Sequence, residues 1–385
     1  MAAINHNDLN RKHVVVLGAG VVGLTTAIQL QEVGDYKVTI VADILPSDPK
    51  DIRYTSQWAG GHHVSLAGNN ERQAKWDRDT FDVMWDLSKP GGDAEGCFMR
   101  LPQTEFFDPN TNKSSALAHM PDFQSVAKDD LVPGSDAGVT FSTVTIDVPK
   151  YLNYLAARFL GRGGTLLRGS VQHISQIIEG GPRACIPSPR TTTVPDVVDA
   201  LVVCVGLGAR SLGGVEDSNV YPIRGQTVLL RAPWVKIGCT IAKPTSDGGA
   251  IWTYIIPRRS GDVIVGGTLE PNDWYPVPRP ETTEDILKRT LALCPELAPP
   301  EARANGRQPT VADLRPLIIE GGCGLRPGRQ GGIRVELEWY SRGDGQGRTP
   351  VIHNYGHAGY GYISSWGTAT EAMELVVAAL RRPRL

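Results

Sequence analysis

This 385-residue chain has no apolar run long enough to span a bilayer, and its polar opening, residues 1–12, has no apolar signal-peptide core. The expectation is an intracellular protein, cytoplasmic by default and without a membrane partner. Charge of one sign is also missing. A net charge of −2 gives no field that would draw nucleic acid or an anionic lipid surface. Cysteine is sparse: Cys97, Cys185, Cys204, Cys239, Cys294 and Cys323 form no CxxC pair, which argues against a zinc site or a redox dithiol. An intracellular compartment disfavours disulfides, and if one forms, Cys239 with Cys294 is the candidate pair. Internal repeats and low-complexity segments are absent as well. What remains is the composition of an ordinary globular protein, long enough for two domains or for one domain with a second inserted into it.

The strongest signal present is Val14-Val15-Val16-Leu17-Gly18-Ala19-Gly20-Val21-Val22-Gly23. Residues 13–17 read as a buried parallel strand, and residues 24–33 continue with helical spacing. Gly18 permits a tight turn, Gly20 lets the backbone approach a pyrophosphate, and Gly23 lets helix and strand pack closely. The helix start offers N–H groups and the positive dipole end to phosphates. A second apolar strand, residues 38–41, leads to Asp43, twenty residues past Gly23, where a ribose-binding carboxylate belongs. Together these features imply an adenine dinucleotide.

Further along, Trp58-Ala59-Gly60-Gly61-His62-His63 packs small residues as if the backbone passes close to a flat ligand. A helix is predicted near residues 72–87. Another follows Asp147, with Pro149 in its first turn. Strands are predicted at 165–167, 171–178 and 201–205, the last ending in Gly206-Leu207-Gly208. A strand-rich region opens at Arg224-Gly225-Gln226 and includes residues 254–257 and 263–268, then a helix over 281–294. Strands at 333–338 and 351–354 precede a glycine-rich segment, 353–367, and a final helix over 368–380. Nucleotide-site signals thus alternate with the β-rich segment, which implies a discontinuous nucleotide-binding domain with a second domain inserted.

The glycine turn, Trp58-Ala59-Gly60, Arg224-Gly225-Gln226, Tyr254-Ile255-Ile256-Pro257, Gly324-Leu325-Arg326-Pro327 and His353-Asn354-Tyr355-Gly356-His357-Ala358-Gly359-Tyr360-Gly361 resemble the D-amino-acid oxidase family in order and over nearly the whole chain. The resemblance implies a mixed α/β and α+β fold. A Rossmann-like FAD-binding domain would take residues 1–66, 150–220 and 326–385, and a β-rich substrate domain residues 67–149 and 221–325. It implies FAD as cofactor, a D-amino acid as substrate, O2 as electron acceptor and hydrogen peroxide as a product, and it leaves a homodimer open.

The resemblance also assigns residues. Arg326 and Tyr254 would bind the substrate carboxylate, the Gly359 carbonyl would accept from the amine, and Leu269 stands where many fungal members carry a tyrosine. FAD contacts are expected from Gly18, Ala19, Gly20, Val21, Val22, Gly23, Asp43, Thr55, Ser56, Ala59, Gly60, Gly61, Val171, Cys204 and Gly206. Arg326, Gly359, Tyr360, Gly361, Tyr362 and Ile363 complete that set.

Physical reasoning supports the substrate assignments independently. A zwitterion needs a cation for its carboxylate, and an arginine fork bonds it in two places with fixed geometry. No residue is required as acid or base, because a neutral amine allows direct hydride loss. His62, His63, His353 and His357 are therefore expected to satisfy backbone groups. D-Aspartate oxidase is the nearest rival and would need a second cation. Arg258 and Arg259 are available, but at a strand end they are expected to face solvent. More remote rivals are a flavin-dependent dehydrogenase and a non-catalytic flavin-binding protein. Neutral and apolar D-amino acids are therefore the expected substrates. The final Pro383-Arg384-Leu385 resembles a degenerate peroxisomal address, so a peroxisomal location is also an expectation.

Overall fold

The computed structural model describes residues 11–65, 67–68, 70–107, 116–186, 197–244, 250–343, 345 and 347–381; the Pro383-Arg384-Leu385 tail lies outside them. The chain forms two compact units. The first takes Met1–Gln57, Leu152–Tyr221 and Arg326–Leu385, and the second takes Trp58–Tyr151 and Pro222–Leu325. Residues 58–65 thus group with the second unit, whereas the sequence pattern placed them with the first. Hydrogen bonds hold them there. The Ile146 N–H donates to the Gly61 carbonyl at 2.7 Å, and the His63 N–H to the Val144 carbonyl at 3.1 Å.

In the first unit, the strand Lys12–Leu17 is buried from His13 onward. It pairs in parallel with Tyr36–Ala42 on one side and Ala200–Val203 on the other. A strand covered on both faces must be apolar throughout, which is why valine follows valine here without alternation. The six-stranded sheet runs in the order Arg334–Ser341, Arg348–Tyr355, Ala200–Val203, Lys12–Leu17, Tyr36–Ala42, Thr165–Arg168. The helix Val21–Val33 ends at Gly34, whose φ of 86° suits a left-handed cap. It buries Leu24, Ala27, Ile28 and Leu30, and the Thr25 hydroxyl donates to the Ser365 carbonyl of the helix Gly361–Arg381 at 3.1 Å.

Two predicted elements of this unit differ. Residues 171–178 do not form a strand; the chain turns instead into the helix Ser175–Gly180. Ile174, Ile177 and Ile178 enter the core at helical spacing, so the period is three to four rather than two. The final helix starts at Gly361, seven residues before the predicted start at Thr368. Ser364, Ser365, Gly367, Thr368 and Ala369 are buried in it. Close packing of small residues outweighs the low helix propensity that made 361–367 read as a loop.

The second unit is built on a nine-stranded sheet. Its path is Glu270–Pro271, Val220–Arg231, Asp262–Gly266, Ala250–Pro257, Gly238–Pro244, Phe98–Phe107, Ala137–Ile146, Gln124–Ser125, with Ile318–Arg329 paired to Val220–Arg231. Val228, Leu230, Ile255, Val263 and Val265 pack against Ile286, Leu287 and Leu291 of the helix Pro280–Leu293. Cys239 and Cys294 share this core as free thiols rather than as the candidate disulfide. The Cys294 thiol turns to Glu296 Oε2, at 3.5 Å. Among the described residues, no helix is long and apolar enough to cross a membrane.

Candidate active site

The glycine turn of the first unit is closed to side chains on every side that matters. Gly18 has φ 101°, and a Cβ there would lie 2.5 Å from the Cys204 carbonyl oxygen. Its N–H donates to the Val41 carbonyl at 2.9 Å, which keys the turn to the neighbouring strand. A Cβ on Gly23 would lie 2.0 Å from the Gly18 oxygen. Gly20 faces the Ser56 hydroxyl, which accepts from the Val21 N–H at 3.0 Å. The Tyr54 hydroxyl donates to the Ala19 carbonyl, and that of Tyr362 to the Ser56 carbonyl at 2.9 Å. Val22 lies in the first turn of the helix Val21–Val33, a turn that carries no acidic residue, so the positive dipole end is left for an anion. A cradle this bare of side chains fits a pyrophosphate. Cys204 closes the turn with its carbonyl, and burial pushes its thiol up to about 12.

Asp43 follows the strand Tyr36–Ala42 and accepts from Arg53 Nη1 at 2.8 Å. Arg53 also grips Asp51, and Arg168 donates to the Asp43 carbonyl at 3.1 Å and to Asp48. The sequence pattern pointed to Asp43 but to neither arginine, since nothing in their local spacing marks a partner. Val171 lies in the loop after Thr165–Arg168, packed against the core of this unit. Thr55 opens the short turn Thr55–Trp58 that carries Ser56.

At the same end of the sheet, where a Cβ on Gly361 would lie 3.6 Å from Val21, Arg326, Gly206 and Gly359 come together. The Ala358 N–H donates to the Pro327 carbonyl at 2.8 Å. A Cβ on Gly359 would lie 3.8 Å from Arg326 Cδ, and one on Gly206 would lie 3.8 Å from Pro327. Tyr360, whose carbonyl accepts from the Ile363 and Ser364 N–H groups, precedes the start of Gly361–Arg381. Three residues past Arg326, Arg329 Nε is 2.7 Å from the buried Asp217, which also accepts from the Tyr355 hydroxyl at 3.0 Å. Burial alone would raise the Asp217 carboxyl, but the hydrogen bonds from Arg329, Tyr355 and the Asn219 N–H outweigh it and hold the group at about 2.

In the second unit, the Tyr254 ring lies against Gly266 and Gly267; a Cβ on either would come within 2.6 Å of its phenol oxygen. Gly60 approaches the same strand, where its Cβ would meet Ile256 Cδ1 at 2.6 Å and Tyr254 Cε2 at 3.9 Å. Leu269 is 52% exposed. Arg258 corrects an expectation. It is only 6% exposed, and its Nη2 donates to the Ala59 carbonyl at 3.0 Å and the Gly60 carbonyl at 3.2 Å. A buried guanidinium needs acceptors, and this turn supplies two. Arg259 does face outward, paired with Glu95 at 2.7 Å.

The histidines serve local structure. His63 Nε2 meets the Asp77 carbonyl, His353 Nε2 meets Glu338, and His357 Nε2 meets the Thr368 hydroxyl. Desolvation pushes His62 down to about 4 and His357 to about 3, so both are neutral near pH 7. Among the described residues, no group of three or more His, Cys, Asp or Glu side chains could hold a metal ion.

A profile of the DAO family, FAD dependent oxidoreductases, matches residues 13–375. The chain belongs to this family. It is 40% identical to a D-aspartate oxidase from Cryptococcus neoformans var. grubii, over 96% of this chain and 97% of that one. It is 34% identical to a D-amino-acid oxidase from Schizosaccharomyces pombe, over 96% and 97% of the two chains. Among solved structures, a glycine oxidase from Bacillus cereus superposes with a TM-score of 0.66 at 17% identity, covering 97% of this chain and 96% of the other. That last likeness speaks for the fold, which is the mixed α/β fold of FAD oxidoreductases. FAD is the cofactor of this family, and the bare glycine cradle suits its pyrophosphate.

Proposed function

We propose that the chain oxidises D-amino acids: amino acid, O2 and water give the 2-oxo acid, ammonia and hydrogen peroxide. The observation that carries this reading is Arg326 beside Gly359, in the same unit as the glycine cradle. Bound FAD supplies the two-electron acceptor. Gly18 to Gly23, Asp43, Thr55, Ser56, Val171, Cys204 and Gly206 would hold its adenosine and pyrophosphate portions. The resemblance assigns residues 360–363 to its ring system, and the small residues Ala59, Gly60 and Gly61 suit the close approach of a flat ligand.

Arg326 would fork the substrate carboxylate and the Gly359 carbonyl would accept from the amine, both within the first unit; the family resemblance assigns the Tyr254 hydroxyl to the same carboxylate. Fixing the carboxylate and the amine sets the Cα–H direction, and orientation of this kind is a large source of rate. No side chain needs to take the Cα proton. The four histidines are hydrogen-bonded elsewhere or held neutral, which supports that view.

Neutral and apolar side chains are preferred. A distal carboxylate would need a second cation, and three arginines of the second unit, Arg258, Arg279 and Arg289, already have acceptors. Arg289 donates to Trp252, Thr253 and Asp285, Arg279 pairs with Asp273 and Glu270, and Arg258 holds two carbonyls. D-Aspartate oxidation is the second reading. It is favoured by the 40% identical relative of that name and by the burial of Arg258. Anaerobic bleaching of the flavin by D-alanine, with peroxide release measured across D-alanine, D-methionine, D-aspartate and their L-enantiomers, tests both. A protein without a flavin spectrum, or one bleached by L-enantiomers alone, ends the proposal.

A further inference from the structure

We propose that Arg258 is a positioning residue for this oxidation, clamping the turn at Ala59 and Gly60 so that its amides are held rigid and polarised toward the flavin. This rests on the reading above in one respect only, that the turn meets the flavin. The clamp itself lies wholly within the second unit.

Three successive carbonyls of the turn have fixed donors. Those of Ala59 and Gly60 accept from Arg258 Nη2, and that of Gly61 accepts from the Ile146 N–H. Tyr254, Ile256 and Arg258 are spaced by two, so their side chains leave the same face of the chain. Gly60 lies on that face, within van der Waals reach of Ile256 and Tyr254. Gly61 cannot carry a side chain, since its φ is 80° and a Cβ would meet Val148 at 2.7 Å and the Ile146 oxygen at 2.8 Å. The turn is therefore defined from both sides.

A peptide group whose oxygen accepts from a cation is a stronger donor at its N–H. In a trans peptide the N–H points opposite to the carbonyl. Arg258 thus strengthens the Gly60 and Gly61 N–H groups on the edge facing away from itself. Its buried charge also favours added electron density nearby, because water does not screen it. Both effects help a site whose flavin must accept electrons, and neither requires Arg258 to touch substrate.

The test compares wild-type holoenzyme with Arg258→Met and Arg258→Lys. Arg258→Met is expected to bind FAD but show a shifted visible flavin spectrum, about tenfold weaker sulfite binding and about tenfold slower flavin reduction at saturating D-alanine, with little change in KM. Rates on D-alanine and D-aspartate should fall by the same factor, and Arg258→Lys should recover part of each loss. Backbone amides over residues 58–62 should exchange with deuterium about tenfold faster in Arg258→Met than in wild type. Unchanged spectrum, sulfite affinity and exchange would overturn the clamp. A loss confined to D-aspartate would overturn it too, in favour of direct substrate contact. If Arg258→Met does not fold, Arg258→Lys decides: smaller changes in the same direction support the clamp, and wild-type values refute it. A wild-type protein that takes up no flavin defeats the functional reading instead, and amide exchange still decides the clamp.

Discussion

Gly20 and Ser56 stand so close that a Cβ on the glycine would lie 2.9 Å from the serine hydroxyl. That hydroxyl already accepts from the Val21 N–H at 3.0 Å, so turn, helix start and serine act as one piece. The whole cradle is backbone and hydroxyl, which is what a pyrophosphate needs at a helix N-terminus. Gly20→Val would place a branched side chain where the phosphates are proposed to bind, and displace Ser56. The expected result is a folded protein that purifies with little FAD, read from the ratio of flavin to protein absorbance. A full complement of flavin in that variant would remove this turn from the cofactor site.

Arg326→Ala should keep its FAD and lose most of its activity. Breaking one side of a buried charge pair costs about 3–5 kcal/mol, so kcat/KM for D-alanine should fall by about two to four orders of magnitude. Tyr254→Phe removes one hydrogen bond and should cost about 0.5–1.5 kcal/mol. Steady-state kinetics with the flavin content measured alongside checks both. Near-wild-type turnover in Arg326→Ala would mean that another group holds the carboxylate.

The cradle is legible because glycine is read by what it excludes: Gly18 and Gly23 each face a backbone oxygen that no side chain could tolerate, and Gly20 faces the Ser56 hydroxyl. Arg258 and Arg53 were not legible. Each is an arginine in a polar stretch, and their acceptors lie far away in sequence (Ala59 is 199 residues from Arg258) or are marked by no motif. The helix start at Gly361 was hidden for a related reason. Local propensity argued for a loop, and the buried run from Tyr362 to Ala369 shows that packing prevailed. Ile174, Ile177 and Ile178 satisfy a short strand pattern and a helix pattern alike, and only the core they enter decides between the two.

Acid should destabilise the protein through His357. Its folded pKa of about 3 lies below the ordinary value near 6.5, because desolvation penalises the charged ring. The neutral form is the folded form, so the contribution is intact above pH 6.5. It erodes as pH falls toward 3, by about 1.4 kcal/mol per pH unit. His62, at about 4, adds in the same direction over a narrower window. Denaturant unfolding at pH 7, 5.5 and 4.5 should show a shallower loss for His357→Gln than for wild type. Equal slopes would show that this imidazole is not held neutral by the fold.

Substrate choice turns on whether any cation can leave its present acceptor. D-Alanine and D-methionine should exceed D-aspartate in kcat/KM by more than about tenfold, since burying an unpaired distal carboxylate costs several kcal/mol. Leu269 supplies no hydrogen bond that would lower this cost. The measurement is kcat/KM for the three D-amino acids at one pH and one oxygen concentration. Should D-aspartate turn over best, a guanidinium must reach its side chain. Arg258 would then have to release the Ala59 or Gly60 carbonyl to do so, and the two roles would compete. Arg258→Met would in that case abolish the preference for D-aspartate and leave D-alanine oxidation little affected, whereas a clamp slows both alike.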